Sequence, residues 1–391
     1  MYQRAGVDRN IMMLGFVSFF IDFSTAMITP LLPIYVVEVL HATYFQVGLM
    51  VAVASAVTYA TRLLSGYLSD HYRIYKPLIV GGYLLSSLAK PLFAFAGTWI
   101  HAAALQTVER LGKGVREAPK DTLISAYVRD HGHGRSFGFH KMLDTLGSFS
   151  GALTLFIILY VFGQGEEVMR GIFLATGFFG AIGVFLVWRY VADVPPSQRS
   201  SGHLRLGTVR REVAVPILLF AGFSLFIFTD AFFILRAKDV GFETGTVPLL
   251  FMLFTLVQAT VSYPLGRLID RYGTETILAL SYLAGIVSIL LLMVGTPAAV
   301  WSGFAAFGFY TVGSLNAVRS LISLHTVNKS VAYGVLYTLL ALALFISASV
   351  IGAVWESYGA EAALLLSFGG SLVFALVQLF YTVYRKAENK R

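Results

Sequence analysis

The chain has no cysteine and few charged residues. Of its 391 residues, 13% are Asp, Glu, Lys or Arg, whereas 57% are hydrophobic. The missing cysteine excludes disulfides, thiolate metal sites and cysteine nucleophiles. The charged fraction is about half of the roughly 25% typical of soluble domains, which is too low to cover a soluble surface. These shortages favour a membrane protein.

Two further patterns are missing. The sequence lacks the alternating segments of about ten residues that are typical of membrane β-barrels. Its first apolar stretch, from about Ile11 to Leu40, is too long for a signal-peptide core, and no small-residue cleavage site follows a short one. We therefore expect an all-α membrane protein in which this stretch is kept as the first span.

The sequence does contain apolar runs of about 20 residues, the length that crosses a hydrocarbon core as a helix. An even number of such spans places both termini on one side of the membrane. We predict twelve spans, at residues 11–39, 45–69, 77–97, 99–117, 137–162, 168–192, 213–237, 246–269, 276–297, 299–320, 330–355 and 361–384.

The basic residues in the loops identify the side of the membrane on which both termini lie. Most Lys and Arg outside the spans fall at the two termini, in the middle connection and in alternate loops, whereas the opposite loops offer only Arg170, Arg236 and Lys238. The positive-inside rule therefore predicts a multi-pass protein of the cytoplasmic (inner) membrane with both termini in the cytoplasm. The net charge of +8 is explained by this topology, so we expect no nucleic-acid partner.

A repeat divides the chain into halves. The pattern G-x-L-x-D occurs at Gly66–Asp70 and again at Gly266–Asp270, 200 residues later, each time after one apolar segment and before another. Internal repeats of this kind are typical of secondary transporters. We predict two pseudo-symmetric six-helix bundles, at residues 1–192 and 213–391, joined by a flexible cytoplasmic linker at residues 193–212.

These residues resemble the major facilitator superfamily over nearly the whole chain. The first repeat fits the family signature G-x-L-x-D-x-x-G-R-[RK], except that Arg73 replaces the second glycine. Residues 109–121, 137–147 and 229–237 are similar to a subgroup of bacterial and archaeal permeases with an R-x-G-K-G-x-R-x-A-P-[RK]-D motif in span four. The resemblance implies transport by alternating access. In span five, Ala152 stands where the efflux branch usually has proline, which weakens the case for antiport.

Ionisable residues at membrane depth are costly and face the bundle interior or a water cavity. Asp22 and Asp230 occupy equivalent places in spans one and seven, and each is either a coupling carboxylate or a structural Asp bonded to nearby hydroxyls. Glu109 and Arg110 point about 100° apart on span four, so we expect each to pair with another helix, in a binding wall or a buried ion network. The candidates for substrate binding or proton coupling are Asp22, Lys90, Glu109, Arg110, Lys113 and Asp230.

A second group near the cytoplasmic ends of the spans is predicted to act in gating. His140 and Asp144 share a helix face and could instead form a proton relay. One His and one Asp are an incomplete metal set, so we expect no metal and no cofactor. The gating candidates are Gly66, Asp70, Arg116, His140, Lys141, Asp144, Gly266 and Asp270, and Lys120 and Asp121 are expected to act as a gate or cap.

These patterns together predict a transporter and not an enzyme. No nucleotide-binding G-x-x-x-x-G-K-[ST] occurs, so an ion gradient must supply the energy, and scattered carboxylates with a histidine favour protons. We expect a monomer in the lipid bilayer that moves a small amphipathic or anionic organic solute, with export favoured by the aromatic residues around Asp22 and Asp230. The alternatives are an uptake permease for an anionic metabolite or chelate, a lipid flippase, and a receptor without transport activity.

Overall fold

The computed structural model describes residues 8–127, 133–193, 211–325 and 329–388, and every regular element in these ranges is helical. A short 3₁₀ turn, Phe93–Phe95, follows α4. The helices are α1 Arg9–Ile28, α2 Leu32–Glu38, α3 Tyr44–Tyr72, α4 Lys76–Leu92, α5 Trp99–Ala126, α6 His133–Phe162, α7 Glu166–Tyr190, α8 Arg211–Ser224, α9 Asp230–Asp239, α10 Val247–Tyr272, α11 Thr274–Val294, α12 Pro297–His325 and α13 Lys329–Glu388.

Many of these helices are long and apolar enough to cross a membrane. Their outward faces carry large exposed hydrophobic side chains, which require lipid around them. The chain is therefore a multi-pass membrane protein. Among the described residues, eight segments meet the length and hydropathy criteria: Arg9–Glu38, Tyr44–Ser69, Lys76–Phe95, Phe139–Phe162, Glu166–Tyr190, Thr274–Val294, Pro297–Ile322 and Ala332–Arg385.

The first predicted span is two helices and not one, which corrects the prediction of a single helix over residues 11–39. Helix α1 ends at Ile28, and α2 starts at Leu32 after a turn in which the Leu31 amide donates to the Ile28 carbonyl. Pro30 lies in this turn and Pro33 in the first turn of α2. Proline has no N–H to donate and restricts the residue before it, so the helix is interrupted here.

The seventh predicted span is also interrupted, because α8 ends at Ser224 and α9 begins at Asp230. Thr229 is the N-cap of α9, and Asp230 lies in its first turn, where a carboxylate is favourable. Two carbonyls freed by the interruption accept hydroxyls from α13: Phe226 O from Ser367 Oγ at 2.5 Å and Ile227 O from Ser347 Oγ at 3.0 Å. These bonds satisfy backbone groups that lipid could not.

Helix α13 changes direction at Gly359, whose φ of 85° lies in the left-handed region. Glycine adopts this conformation without the Cβ clash of other residues. The interruption falls between the two helices predicted at 330–355 and 361–384.

The chain divides into two compact units. Unit 1 comprises Met1–Ala42, Val53–His203 and Thr244–Met252, and unit 2 comprises Thr43–Ala52, Leu204–Glu243 and Leu253–Arg391. Within unit 1, apolar residues of α1, α4, α5 and α7 form one core that includes Leu14, Ile79 and Leu123. Within unit 2, aromatic rings stack on one another. The ring centroids of Phe223 and Tyr282 are 4.2 Å apart, and those of Phe233 and Phe307 are 4.1 Å apart.

Helices α1 and α6 approach closely through two glycines, Gly147 and Gly151. A Cβ on either glycine would overlap the carbonyl group of Phe19 or Phe23. Glycine at i and i+4 lets helix backbones approach in membranes, where small residues dominate helix interfaces. This G-x-x-x-G pair therefore brings span five against span one.

Gly147→Ala is expected to destabilise the protein by about 1–3 kcal/mol, the usual cost of overpacking a close contact. The measurement is the thermal unfolding midpoint of the purified protein in detergent. Gly171→Ala on α7 is the matched control, because a Cβ at Gly171 meets no atom within 4 Å. A Gly147→Ala midpoint equal to that of the control would contradict the close packing of α1 on α6.

Candidate functional site

The buried polar residues of unit 1 converge on the middle of α1. Lys90 of α4 is 1% exposed, and its ammonium donates to the Ser24 hydroxyl and the Thr25 hydroxyl at 2.7 Å and to the Ile21 carbonyl at 3.1 Å. These three oxygens satisfy all three donors of the ammonium group. Lys90 therefore connects α4 to α1 at membrane depth.

Asp22 lies beside this contact, and its carboxyl group is hydrogen-bonded to the carboxyl group of Asp144 on α6. Two carboxyl groups form such a bond only when one of them carries a proton. Asp144 also accepts from the Lys141 ammonium at 2.6 Å, which holds Asp144 as the carboxylate. Asp22 is then the protonated donor of the pair.

His140 lies on the same face of α6 as Asp144, one turn earlier in the chain. It is 7% exposed, and its Nε2 lies 2.9 Å from the Ser18 hydroxyl of α1. The structure thus brings His140 and Asp144 to α1, and Lys141 pairs with Asp144 on α6 itself. Lys120 of α5 interacts electrostatically with both His140 and Asp144.

Glu109 and Arg110 pair with each other, which corrects the expectation that neighbours on a helix could not do so. The Arg110 Nε lies 3.3 Å from Glu109 Oε2. The long arginine side chain bends around the helix and covers the angle between the two Cα–Cβ bonds. Glu109 is 6% exposed, and its second oxygen, Oε1, has no hydrogen-bond partner among the described residues.

Arg116 occupies a different setting on α5, two turns after Glu109. It is 4% exposed, donates to the Ser86 hydroxyl at 2.9 Å, and lies over the Tyr83 ring at 4.6 Å. Both partners are on α4. Arg116 therefore packs α5 against α4, next to Gly82 and Gly112, where a Cβ would meet the opposite backbone.

Nine of the charged side chains of unit 1 form an electrostatic cluster with an excess of cations. Asp22 interacts with Lys113 and Lys120, and Lys90 interacts with Asp22, Glu109, Lys113 and Arg116. With one proton shared by the aspartates, only two of its members are negative. We call this set the polar cluster of unit 1; it comprises Asp22, Lys90, Glu109, Arg110, Lys113, Arg116, Lys120, Lys141 and Asp144.

An ion pair missed in the sequence joins α3 to α5. Arg62 lies 2.9 Å from Glu117 and 3.7 Å from Asp121. Arg62 is one turn before Gly66, where a Cβ would touch the Ala118 side chain at 3.3 Å. The gating candidates Gly66 and Asp121 are thus in one contact region.

Three other gating candidates cannot be placed. The side chains of Asp70 and Asp270, and the surroundings of Gly266, lie outside what the structure describes. Their gating role stays a prediction.

In unit 2, Asp230 has a different setting from Asp22. Its carboxylate accepts from the Ala231 amide at 3.0 Å, at the start of α9. Arg236 further along α9 pairs with Glu361 at 2.7 Å. Arg319 of α12, also missed in the sequence, donates to the Tyr337 hydroxyl at 2.8 and 3.1 Å.

The described residues hold no group of three or more His, Asp or Glu side chains placed to bind a metal ion.

The chain is similar to known transporters. The family model for the Major Facilitator Superfamily matches residues 14–348. An uncharacterized MFS-type transporter of Methanocaldococcus jannaschii is 30% identical over 363 residues, which is 90% of this chain and 89% of that protein. Multidrug resistance protein MdtH of Aeromonas hydrophila is 23% identical over 249 residues, covering 63% of this chain and 61% of its own length.

Two solved structures share the fold at low identity. A mutant of the nucleoside transporter NupG gives a TM-score of 0.80 at 12% identity, over 94% of this chain and 98% of its own. The human organic anion transporter MFSD10 gives a TM-score of 0.68 at 14% identity, over 95% and 99%.

Proposed function

Because this chain belongs to the major facilitator superfamily, we propose that it is a secondary active transporter that couples the movement of a small organic anion to protons. The proposal includes twelve spans in two six-helix bundles, at residues 1–192 and 213–391, with both termini in the cytoplasm. Transport would follow alternating access around a central site.

The cation excess of the polar cluster carries the choice of an anionic solute. Lys90, Arg110, Lys113 and Arg116 face Glu109, Glu117 and the shared-proton pair of Asp22 and Asp144. The excess remains when Arg62, Lys120, Lys141, Glu117 and Asp121 are also counted, because the region then holds seven cations and four carboxylates besides the protonated Asp22. Burying unbalanced positive charge is costly, and a bound anion removes part of that cost.

Arg110 is the best placed of these cations to bind the solute. Its side chain is 26% exposed, whereas Arg116 is buried against Tyr83 and Lys90 is fully bonded to α1. Its ion pair uses Nε, which leaves the two terminal nitrogens for a carboxylate, sulfonate or phosphate group.

The carboxyl pair supports proton coupling through Asp22. Asp144 is held by Lys141, so the exchangeable proton belongs to Asp22. An anion arriving near Lys113 would compete with Asp22 for positive charge, because Lys113 interacts with Asp22. Solute binding and proton release or uptake at Asp22 are thereby linked.

Export is the proposed direction. Support comes from the aromatic rings beside Asp22 in the sequence (Phe19 contacts both Phe20 and Phe23) and from the relative whose name describes multidrug resistance. Uptake is the second candidate, and the observation that favours it is Ala152 in place of the efflux-type proline. The NupG and MFSD10 structures share only the fold, so they select neither direction nor solute.

A flux assay separates these functions. The purified protein in liposomes is tested with a small library of organic anions and matched neutral analogues, with and without a pH gradient. We expect pH-driven accumulation of at least one anion and weaker movement of its neutral analogue. Movement of labelled phospholipid alone would instead identify a flippase, and no flux of any solute would support a receptor.

A further inference from the structure

A groove lies between α4 and α7 on the lipid-facing surface of unit 1. It encloses about 510 Å³. Its walls are two matching stripes at helical spacing: Val80, Leu84, Ser87, Leu88 and Pro91 on α4, and Gly177, Ala181, Val184, Phe185 and Trp188 on α7.

The groove has the length of one membrane leaflet. Each stripe spans 12 residues, and the 11 steps between its first and last residue cover about 16 Å at a rise of 1.5 Å per residue. The hydrocarbon core is about 30 Å thick, so the groove reaches about halfway across it. Leu84, Leu88, Phe185 and Trp188 are exposed along it, on helices that qualify as membrane spans.

The base of the groove is formed by small residues. A Cβ on Gly177 would meet Pro91 at 3.2 Å, and one on Gly180 would meet Ser87 at 2.8 Å. The α7 backbone at these glycines therefore packs directly against the Pro91 and Ser87 side chains of α4, and the larger side chains lie at the edges of the contact. The groove is therefore apolar and open to the bilayer. Its shape and lining fit one hydrocarbon chain.

Two cations lie at one end of the groove. The Lys76 ammonium, one turn before Val80, donates to the Trp188 carbonyl at 2.9 Å and keeps two further N–H donors. Arg189 follows Trp188, is exposed, and lies over the Tyr190 ring at 5.5 Å. Trp188 itself is a residue type that is enriched at the membrane interface.

We propose that this groove binds an anionic phospholipid, with one acyl chain between α4 and α7 and its phosphate at Lys76 and Arg189. The apolar walls recognise the chain, and the two cations select the negative headgroup. Both cations lie at the end of the bundle that the loop charges predict to be cytoplasmic, so the lipid belongs to that leaflet. The site is separate from the polar cluster and does not depend on the proposed transport activity.

Trp188 provides the test, because bromine on an acyl chain quenches tryptophan fluorescence on contact. A variant with Trp99→Phe, Trp301→Phe and Trp355→Phe leaves Trp188 as the reporter. The protein is reconstituted in vesicles that contain small amounts of brominated phosphatidylglycerol or brominated phosphatidylcholine. Each cation near an anionic lipid contributes about fivefold in affinity, so two predict a preference of about 25-fold for the anionic lipid.

Two variants and one control complete the experiment. Lys76→Gln with Arg189→Gln should abolish the preference, and Ala181→Phe should reduce quenching by filling the groove. Arg271→Gln is the matched control, because Arg271 also lies over a neighbouring tyrosine, Tyr272, at 5.2 Å. Equal quenching by both lipids, or a preference that survives the double substitution, would overturn the proposal.

Native mass spectrometry of the otherwise unmodified chain gives a second readout that does not depend on the tryptophan substitutions. We expect one retained anionic phospholipid per chain, lost in the Lys76→Gln, Arg189→Gln protein. Retention of zwitterionic lipid only, or of none, would also overturn the proposal.

Discussion

Asp22→Asn is expected to abolish pH-driven accumulation of the solute while leaving downhill exchange intact. The amide can still donate to Asp144, so the contact between α1 and α6 is kept. It cannot release a proton, so the link between solute binding and the proton gradient is lost. The measurement is the ratio of internal to external solute in proteoliposomes under a pH gradient, which should fall to about one.

The same chemical change at Asp8 is the control. Asp8 caps α1 by accepting from the Asn10 amide at 2.8 Å, and Asn caps helices as well as Asp does. Asp8→Asn should therefore accumulate solute normally. Normal accumulation by Asp22→Asn would remove Asp22 from the coupling mechanism, and loss of exchange as well as accumulation would assign it a structural role.

Arg110→Ala is expected to lower the affinity for anionic solutes far more than the affinity for their neutral analogues. Removing one partner of a buried charge pair costs about 2–5 kcal/mol, which is about 30-fold to several thousandfold in affinity. The affinity for neutral analogues should change only a few-fold, since they form no ion pair with Arg110. Competition binding or exchange kinetics with matched anionic and neutral solutes measures the difference.

Two companion variants test this interpretation. Arg110→Lys keeps the charge but loses the planar fork, so it should recover part of the affinity for anions. Arg116→Ala should reduce folding stability and discriminate between the two solute types much less than Arg110→Ala does, because Arg116 is buried against Tyr83 and Ser86. An equal loss of affinity for anionic and neutral solutes in Arg110→Ala would show that the ion pair of Arg110 with Glu109 is only structural.

The sequence predicted the helices well wherever length and hydropathy define them. The spans predicted at 45–69, 137–162 and 276–297 correspond to α3, α6 and α11 within a few residues. The interruptions of the first and seventh spans were missed, since a turn inside an apolar run does not change its hydropathy. The signals were present: Pro30 and Pro33 in the first, and an N-cap Thr229 followed by Asp230 in the second.

The charged residues of the candidate site are visible in the sequence, but their partners are not. Glu109, Arg110 and Lys113 could be selected as candidates because charged residues within a predicted span stand out in the sequence. Their neighbours on other helices depend on tertiary packing. Lys90 meets Ser24 across 66 positions and His140 meets Ser18 across 122, distances that no local pattern encodes.

Arg62 was missed for a related reason. It lies inside span two, away from the loops that carry the topology signal, and its pairing with Glu117 required the relative rotation of α3 and α5. A buried arginine within an apolar run was itself a signal, since such residues almost always have a partner.

The most direct test of proton-coupled anion transport is to measure proton movement caused by the solute itself. Proteoliposomes with an entrapped pH dye and no initial gradient receive an organic sulfonate, which cannot cross as a neutral acid. We predict that sulfonate entry changes the luminal pH, towards alkaline if sulfonate exchanges for protons and towards acid if the two move together, and that Asp22→Asn moves sulfonate without this change. Sulfonate entry with no change of luminal pH in the unmodified protein would contradict proton coupling.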